Sequence, residues 1–219
     1  MFRTTKFCVL PISAVLLLAA GDASWRIKPI SQWNEEDARQ VLADSPWIKR
    51  ATAAIVPDRG EAQRREGGKM GGYQGVGLDR PGTEFSKHGV LMVRWASALP
   101  IQTAELKAHE ADAPDWDGDY YVIAVYDVPG LFSANQKTLA GDLRSTAVLR
   151  RDGKKDIKPS RVDVVLSADK LARVVYLFSR TVPITTADKR IAFVAQIGRL
   201  SLAPYFYTEE MQLQGKLEL

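Results

Sequence analysis

The chain is nearly free of cysteine: one thiol, Cys8, in 219 residues. A single cysteine can neither close an intramolecular disulfide nor build a thiolate metal cage. Histidine is almost as scarce, with only His88 and His109, and these are far from the paired helical spacing of a zinc hydrolase. A dominant charge is lacking too. The 30 Lys and Arg face 26 Asp and Glu, a formal net charge of +4. The signs are interspersed, whereas nucleic-acid binders concentrate basic charge on one face. No serine sits in a Gly-x-Ser-x-Gly elbow, which removes that nucleophile signature. Long apolar runs are missing with one exception, Phe7 to Ala20.

That exception is informative. Arg3 and Lys6 stand before the run, and small residues from Ala19 to Ser24 end it. The charged, apolar, small-residue order is that of a secretory signal peptide, and the run is too short to span a bilayer comfortably. Gly21 and Ala23 fit a cut after Ala23, with a cut near Gly21 as the alternative, so residues 1–23 read as a leader and residues 24–219 as a single domain. Cys8 would leave with the leader. A lipoprotein would need its cysteine just after the apolar run, and none is there. The expected mature protein is exported, periplasmic or secreted, free of cysteine and without a transmembrane segment. It has length enough to be held by its core alone. Export makes nucleic acid an unlikely partner. Another envelope protein or an anionic polymer fits the slight cationic excess better.

Hydrophobic patterning predicts an α+β fold: a mainly antiparallel sheet with one or two helices from the N-terminal half packed on it. Asn34 with Asp37 forms a capping box for a helix carrying Ala38, Val41 and Leu42 on one face. Pro46 ends that helix near Asp44. Trp33 and Trp47 flank it and are expected to clamp it onto the sheet. Trp47 to Val56 reads as a strand. From about 58 to 87 arginines alternate with glycines and apolar residues are few. That segment reads as a flexible loop, since it lacks the apolar surface to offset its ordering entropy. It has neither the Gly-Lys-Ser/Thr ending of a phosphate loop nor dinucleotide spacing.

Order resumes with a strand from Val90 to Trp95. Ser97 is the expected cap of a helix carrying Ile101, Ala104, Glu105 and Ala108. Tyr120 to Val128 is a strand ended by Pro129-Gly130. Leu131 to Leu139 reads as a loop with one helical turn. Asp152-Gly153 predicts a hairpin joining Thr146–Arg151 to Val162–Leu166. Arg173 to Ser179 is apolar on both faces, the mark of a central strand. Arg190–Ile197, Leu200–Tyr207 and a short edge strand within Leu213–Leu219 complete the pattern.

Few residues suggest chemistry. Asp115, Asp117 and Asp119 alternate around Gly118 and could aim oxygens at a hard cation such as Ca²⁺. The sixth and twelfth positions of a helix–loop–helix calcium site, however, are Tyr120 and Tyr126. No other cofactor is expected. His109, beside Glu110 and Asp112, is a candidate for ligand binding or proton transfer. Arg94 interrupts an apolar strand. It is expected on a solvated face, in a buried ion pair, or at a bound anion, because a guanidinium cannot shed its charge. These features give two expectations. The first is an exported, non-enzymatic binding or envelope-associated module. The second is a metal-dependent hydrolase or calcium-stabilised module built on the Asp115–Asp119 turn.

Overall fold

The computed structural model describes residues 23–56, 89–109, 118–131, 136–167 and 169–219. The expected leader, with Cys8, falls almost wholly outside these residues. So do the glycine–arginine segment, His88, Asp115 and Asp117.

The fold is α+β with antiparallel sheets, as the patterning predicts. Short helix α1 (Ser24–Ile27) and a 3₁₀ turn (Ile30–Gln32) lead to α2 (Glu35–Ala43). Asn34 accepts from the Asp37 N–H while the Asp37 side chain accepts from the Asn34 N–H, completing the capping box. Strands β1 (Ile48–Thr52) and β2 (Ala54–Ile55) follow, then β3 (Val90–Trp95) and α3 (Leu99–Lys107). The chain continues through β4 (Tyr120–Pro129), α4 (Gln136–Ser145), β5 (Ala147–Arg151), β6 (Arg161–Leu166) and β7 (Leu171–Ser179). The last strands are β8 (Arg190–Ile197), β9 (Leu200–Leu202), β10 (Tyr205–Tyr207), β11 (Gln212–Leu213) and β12 (Lys216–Leu217). Gln214 and Gly215 both take positive φ between β11 and β12, the backbone twist that two-residue hairpins favour.

Two sheets form the core. The first has the order β1-β3-β4-β7-β6, and the second runs β10-β8-β9-β2 with β5 also paired to β8. Aromatic rings lock the sheets together edge to face. Trp95 of β3 meets Phe206 of β10 at 5.2 Å, and Tyr176 of β7 meets Phe193 of β8 at 5.1 Å. All four rings are fully buried, so each contributes apolar burial as well as a favourable ring geometry. β7 is the expected central strand. Val174, Tyr176 and Phe178 enter the main core, and Val175 and Leu177 join Val122 and Ala124 on the other face.

One stretch of chain belongs to both sheets. β1 pairs with β3 in the first, and after Ala53 the same stretch pairs as β2 with β9 in the second. The N-terminal tryptophans brace this corner. Trp25 lies 6.0 Å from Trp33 and 6.0 Å from Trp47. The Trp33 Nε1–H donates to Trp25 O, and the Trp47 Nε1–H donates to Glu218 O at 2.7 Å. The tryptophans are therefore structural clamps.

Four expectations need correction. The strand expected over Leu200–Tyr207 is two, β9 and β10, both paired to β8 and parted at Pro204, which has no N–H for the ladder. Ser97 does not cap α3: the N-cap is Ala98, and the Ser97 hydroxyl accepts from the Val122 N–H instead. The segment read as one helical turn leads into the ten-residue helix α4, which packs on β6 and β8. Its Leu139 and Leu143 are buried at helical spacing, a four-residue signal that Gly141 between them obscured. Finally, β5 and β6 are not a hairpin. The Asp152-Gly153 turn does fold the chain back, but only as far as a single bridge between Leu149 and Ile157. β5 then pairs with β8 and β6 with β7, in different sheets.

Candidate functional site

Of the residues singled out by sequence, Asp119, His109 and Arg94 are described. Asp119 is exposed in the turn before β4, where its carbonyl accepts from the Arg180 N–H at 3.0 Å. His109 is exposed just beyond α3 with a positive φ. Neither lines the clefts described below. Asp115 and Asp117 lie outside the described residues. Among the described residues no three His, Cys, Asp or Glu side chains gather as a metal site.

Arg94 is buried, which corrects the solvated-face expectation. Its Nη1 donates to Glu105 Oε1 of α3 at 2.7 Å, and its guanidinium carbon lies 4.6 Å from the Tyr126 ring centroid. Tyr126 precedes a β-bulge at which Asp127 takes a φ of 59°. The charge that interrupts an apolar strand is thus spent holding α3 to the first sheet. A second buried cluster ties β5 to the 3₁₀ turn Thr186–Asp188. Asp188 accepts from Lys154 at 2.8 Å and from Arg151 at 3.5 Å. Burial raises the Asp188 carboxyl, but the Lys154 and Thr185 hydrogen bonds and the nearby cationic charge outweigh it. The group stays below the ordinary carboxylate range.

The arrangement best suited to a ligand lies elsewhere, at the corner braced by the tryptophans. A cleft of about 720 Å³ opens between the α2–β1 turn, β1 and the residues after β10. Ser45 is at its wall, 6 % exposed, with a hydroxyl that has no hydrogen-bond partner. Buried polar groups are seldom left in that state. Trp95 Nε1 and the Tyr176 hydroxyl are also unpartnered, but both sit between the sheets, and burial pushes the Tyr176 phenol strongly up.

Around Ser45 stand Arg26, Lys49 and Arg50, with Asp44 and Glu210 as the acidic members. Arg26 rests on the Trp25 ring, 4.8 Å from its centroid. Lys49 reaches Glu210 only at 3.5 Å. Among the described residues neither Arg26 nor Arg50 is ion-paired to a carboxylate.

Local folding explains the placement. Trp25, buried in the tryptophan cluster, fixes α1 and so aims Arg26. Asp37 fastens the same turn by accepting from Lys28 Nζ at 2.8 Å and from the Ser24 hydroxyl. Those two hydrogen bonds, first Lys28 and then Ser24, hold the Asp37 carboxyl down to about 2. Pro46 ends α2 and turns the chain so that Ser45 faces inward while Lys49 and Arg50 follow on β1. Guanidinium forks match carboxylate and phosphate oxygens, so two guanidinium groups without a described carboxylate are chemically suited to an oxyanion.

Sequence reasoning missed this cleft. Its residues come from α1, the α2–β1 turn, β1 and position 210, and no spacing links them. The Ser45-Pro46-Trp47 segment could have drawn attention only as a helix exit. No family model, curated protein sequence or solved structure matches this chain.

Proposed function

We propose that this chain is an exported, non-enzymatic binding module that takes an anionic group, carboxylate or phosphate, in the cleft beside Ser45. The observation that carries the reading is a cleft that shares in its lining a buried, unpartnered Ser45 hydroxyl and two guanidinium groups that hold no described carboxylate. Binding is favoured over catalysis because a serine nucleophile needs a base within hydrogen-bond reach. Among the described residues no base reaches the Ser45 hydroxyl, which has no hydrogen-bond partner there. Export is supported by the charged, apolar and small-residue order of residues 1–23. No helix among the described residues is long and apolar enough to cross a membrane.

Calorimetric titration with sodium galacturonate and with inorganic phosphate, at low ionic strength, tests the cleft. Saturable binding is expected for the folded chain and is abolished in the Arg26→Glu, Arg50→Glu double variant. Equal heats from both proteins would overturn the reading. Raised salt should weaken the interaction, since the cleft is open to solvent.

A further inference from the structure

The first sheet ends at β6, which among the described residues pairs only with β7. Hydrogen bonding alternates along such a ladder. Ser167 donates to Leu171 at 2.9 Å, so Asp163 and Val165 are bonded to β7, while Val164 and Leu166 turn their N–H and C=O groups out of the sheet. Helix α4 covers one end of this edge. Its Ala140, Gly141 and Arg144 form a cleft with Ser160, Arg161 and Val162, and Val162 is 5 % exposed. The other end is open. Val165 and Leu166 are 46 % and 38 % exposed, and no described backbone group reaches Val164 or Leu166 from beyond the sheet. Free edges are ordinarily guarded by charged side chains, proline or a bulge. The opposite edge, β1, has such a guard in Lys49 and Arg50. The stretch Val164–Leu166 has none.

We infer that this edge takes a second copy of the chain, with β6 antiparallel to β6 about a two-fold axis at Val165. The edge selects that partner because it is self-complementary. With Val165 on the axis, Val164 of each copy lies opposite Leu166 of the other. Both turn their backbone groups outward, so each such pair exchanges two hydrogen bonds. Val165 meets its own counterpart at a non-bonded position, where side chains approach most closely. The exposed apolar side chains of the edge thus meet one another, as in the cross-strand pairs that stabilise sheets. Asp163 falls opposite Ser167, so no like charges are opposed. The same register carries Asp169, exposed in the turn after β6, towards Arg161 of the other copy, whose side chain is 64 % exposed. Every contact occurs twice, as an isologous interface requires, and the paired stretch lies beyond the cleft with α4. One strand pair is a small interface, so the association is reversible and depends on concentration.

Sedimentation velocity of the full chain over a wide concentration range reads this pairing. The mass is expected to rise from one chain towards two and to go no further. Val165→Lys sets two ammonium groups face to face across the axis and should hold the protein as one chain throughout. Val165→Glu should do the same with two carboxylates. Mixed together, these two variants should regain the pair, since opposite charges then meet on the axis. Leu166→Pro removes an outward N–H that β7 does not use, a change edge strands tolerate, and should also weaken the pair. Thermal midpoints of the dilute variants should match that of the parent, and the mixing arm reads pairing between variants directly. A parent that stays a single chain at every concentration overturns the inference and leaves the edge to a different protein. Association that survives Val165→Lys overturns it by placing the interface elsewhere. Failure of the mixed variants to pair overturns the axis at Val165, and growth beyond two chains overturns the closed pairing.

Discussion

Arg94 and Glu105 meet at 2.7 Å with 4 % and 3 % of their side chains exposed. The pair joins β3 to α3 inside the protein. Neutralising one partner takes away the other's counter-charge inside the protein, and breaking a buried pair in this way typically costs about 3–5 kcal/mol. Glu105→Ala should therefore lower unfolding free energy by roughly that amount in urea titrations. Replacing both residues with apolar ones, Arg94→Met with Glu105→Leu, should cost much less. A loss below about 1 kcal/mol for Glu105→Ala would mean that the pair behaves like a surface contact.

The Asp37 carboxyl titrates at about 2, below its ordinary 3.8. A carboxylate depressed on folding adds stability that is complete above the unfolded value and is lost as pH falls through the folded one. Acid should thus weaken the α1–α2 corner between roughly pH 4 and pH 2. Comparing the pH dependence of unfolding for the parent and Asp37→Asn reads this directly. The variant should have lost stability at neutral pH and should show a shallower slope in that window. Superimposable curves would show that Lys28 and Ser24 do not favour the charged form.

Ser45→Ala separates binding from folding. The hydroxyl has no partner to lose, so stability should stay within about 0.5 kcal/mol. Galacturonate or phosphate binding should weaken several-fold, because one hydrogen bond to a charged ligand disappears. Unchanged binding, with Arg50→Glu equally without effect, would place the anion elsewhere.

Mass measurement of the protein recovered from outside the cytoplasm should find Ser24 at the N-terminus. Helix α1 begins there, Trp25 is already buried, and the Ser24 hydroxyl is bound to Asp37. A cut beyond Trp25 would remove a member of the tryptophan cluster and is not expected. An uncut chain retained in the cytoplasm would refute export.

Local features of this fold were legible in the sequence. Asn34 with Asp37 announced the start of α2, and the two-sided apolarity of Val174 to Phe178 announced a central strand, because each signal lies within a few residues. Partner choice was not legible. Asp152-Gly153 specifies a reversal of direction, but whether β5 meets β6 or β8 depends on how Leu149 and Phe193 pack, which no local pattern records. The same holds for Arg94, whose burial depends on Glu105 being offered by a helix eleven residues away. The cleft was illegible for the strongest reason: Ser45 gains meaning only beside Arg26, Arg50 and Glu210, which tertiary packing brings together.

The stretch shared by the two sheets also governs the order in which the protein can form. Ala54 and Ile55 pair with Ser201 and Leu200, and Trp47 donates to Glu218, 171 residues on. Contacts of such long sequence separation form late and slowly, since the loop must close before they reward it. A chain emerging from a narrow channel N-terminus first could pair β1 with β3 early. It could not seal the corner until Glu218 was through, so that corner closes only after the strands between have emerged.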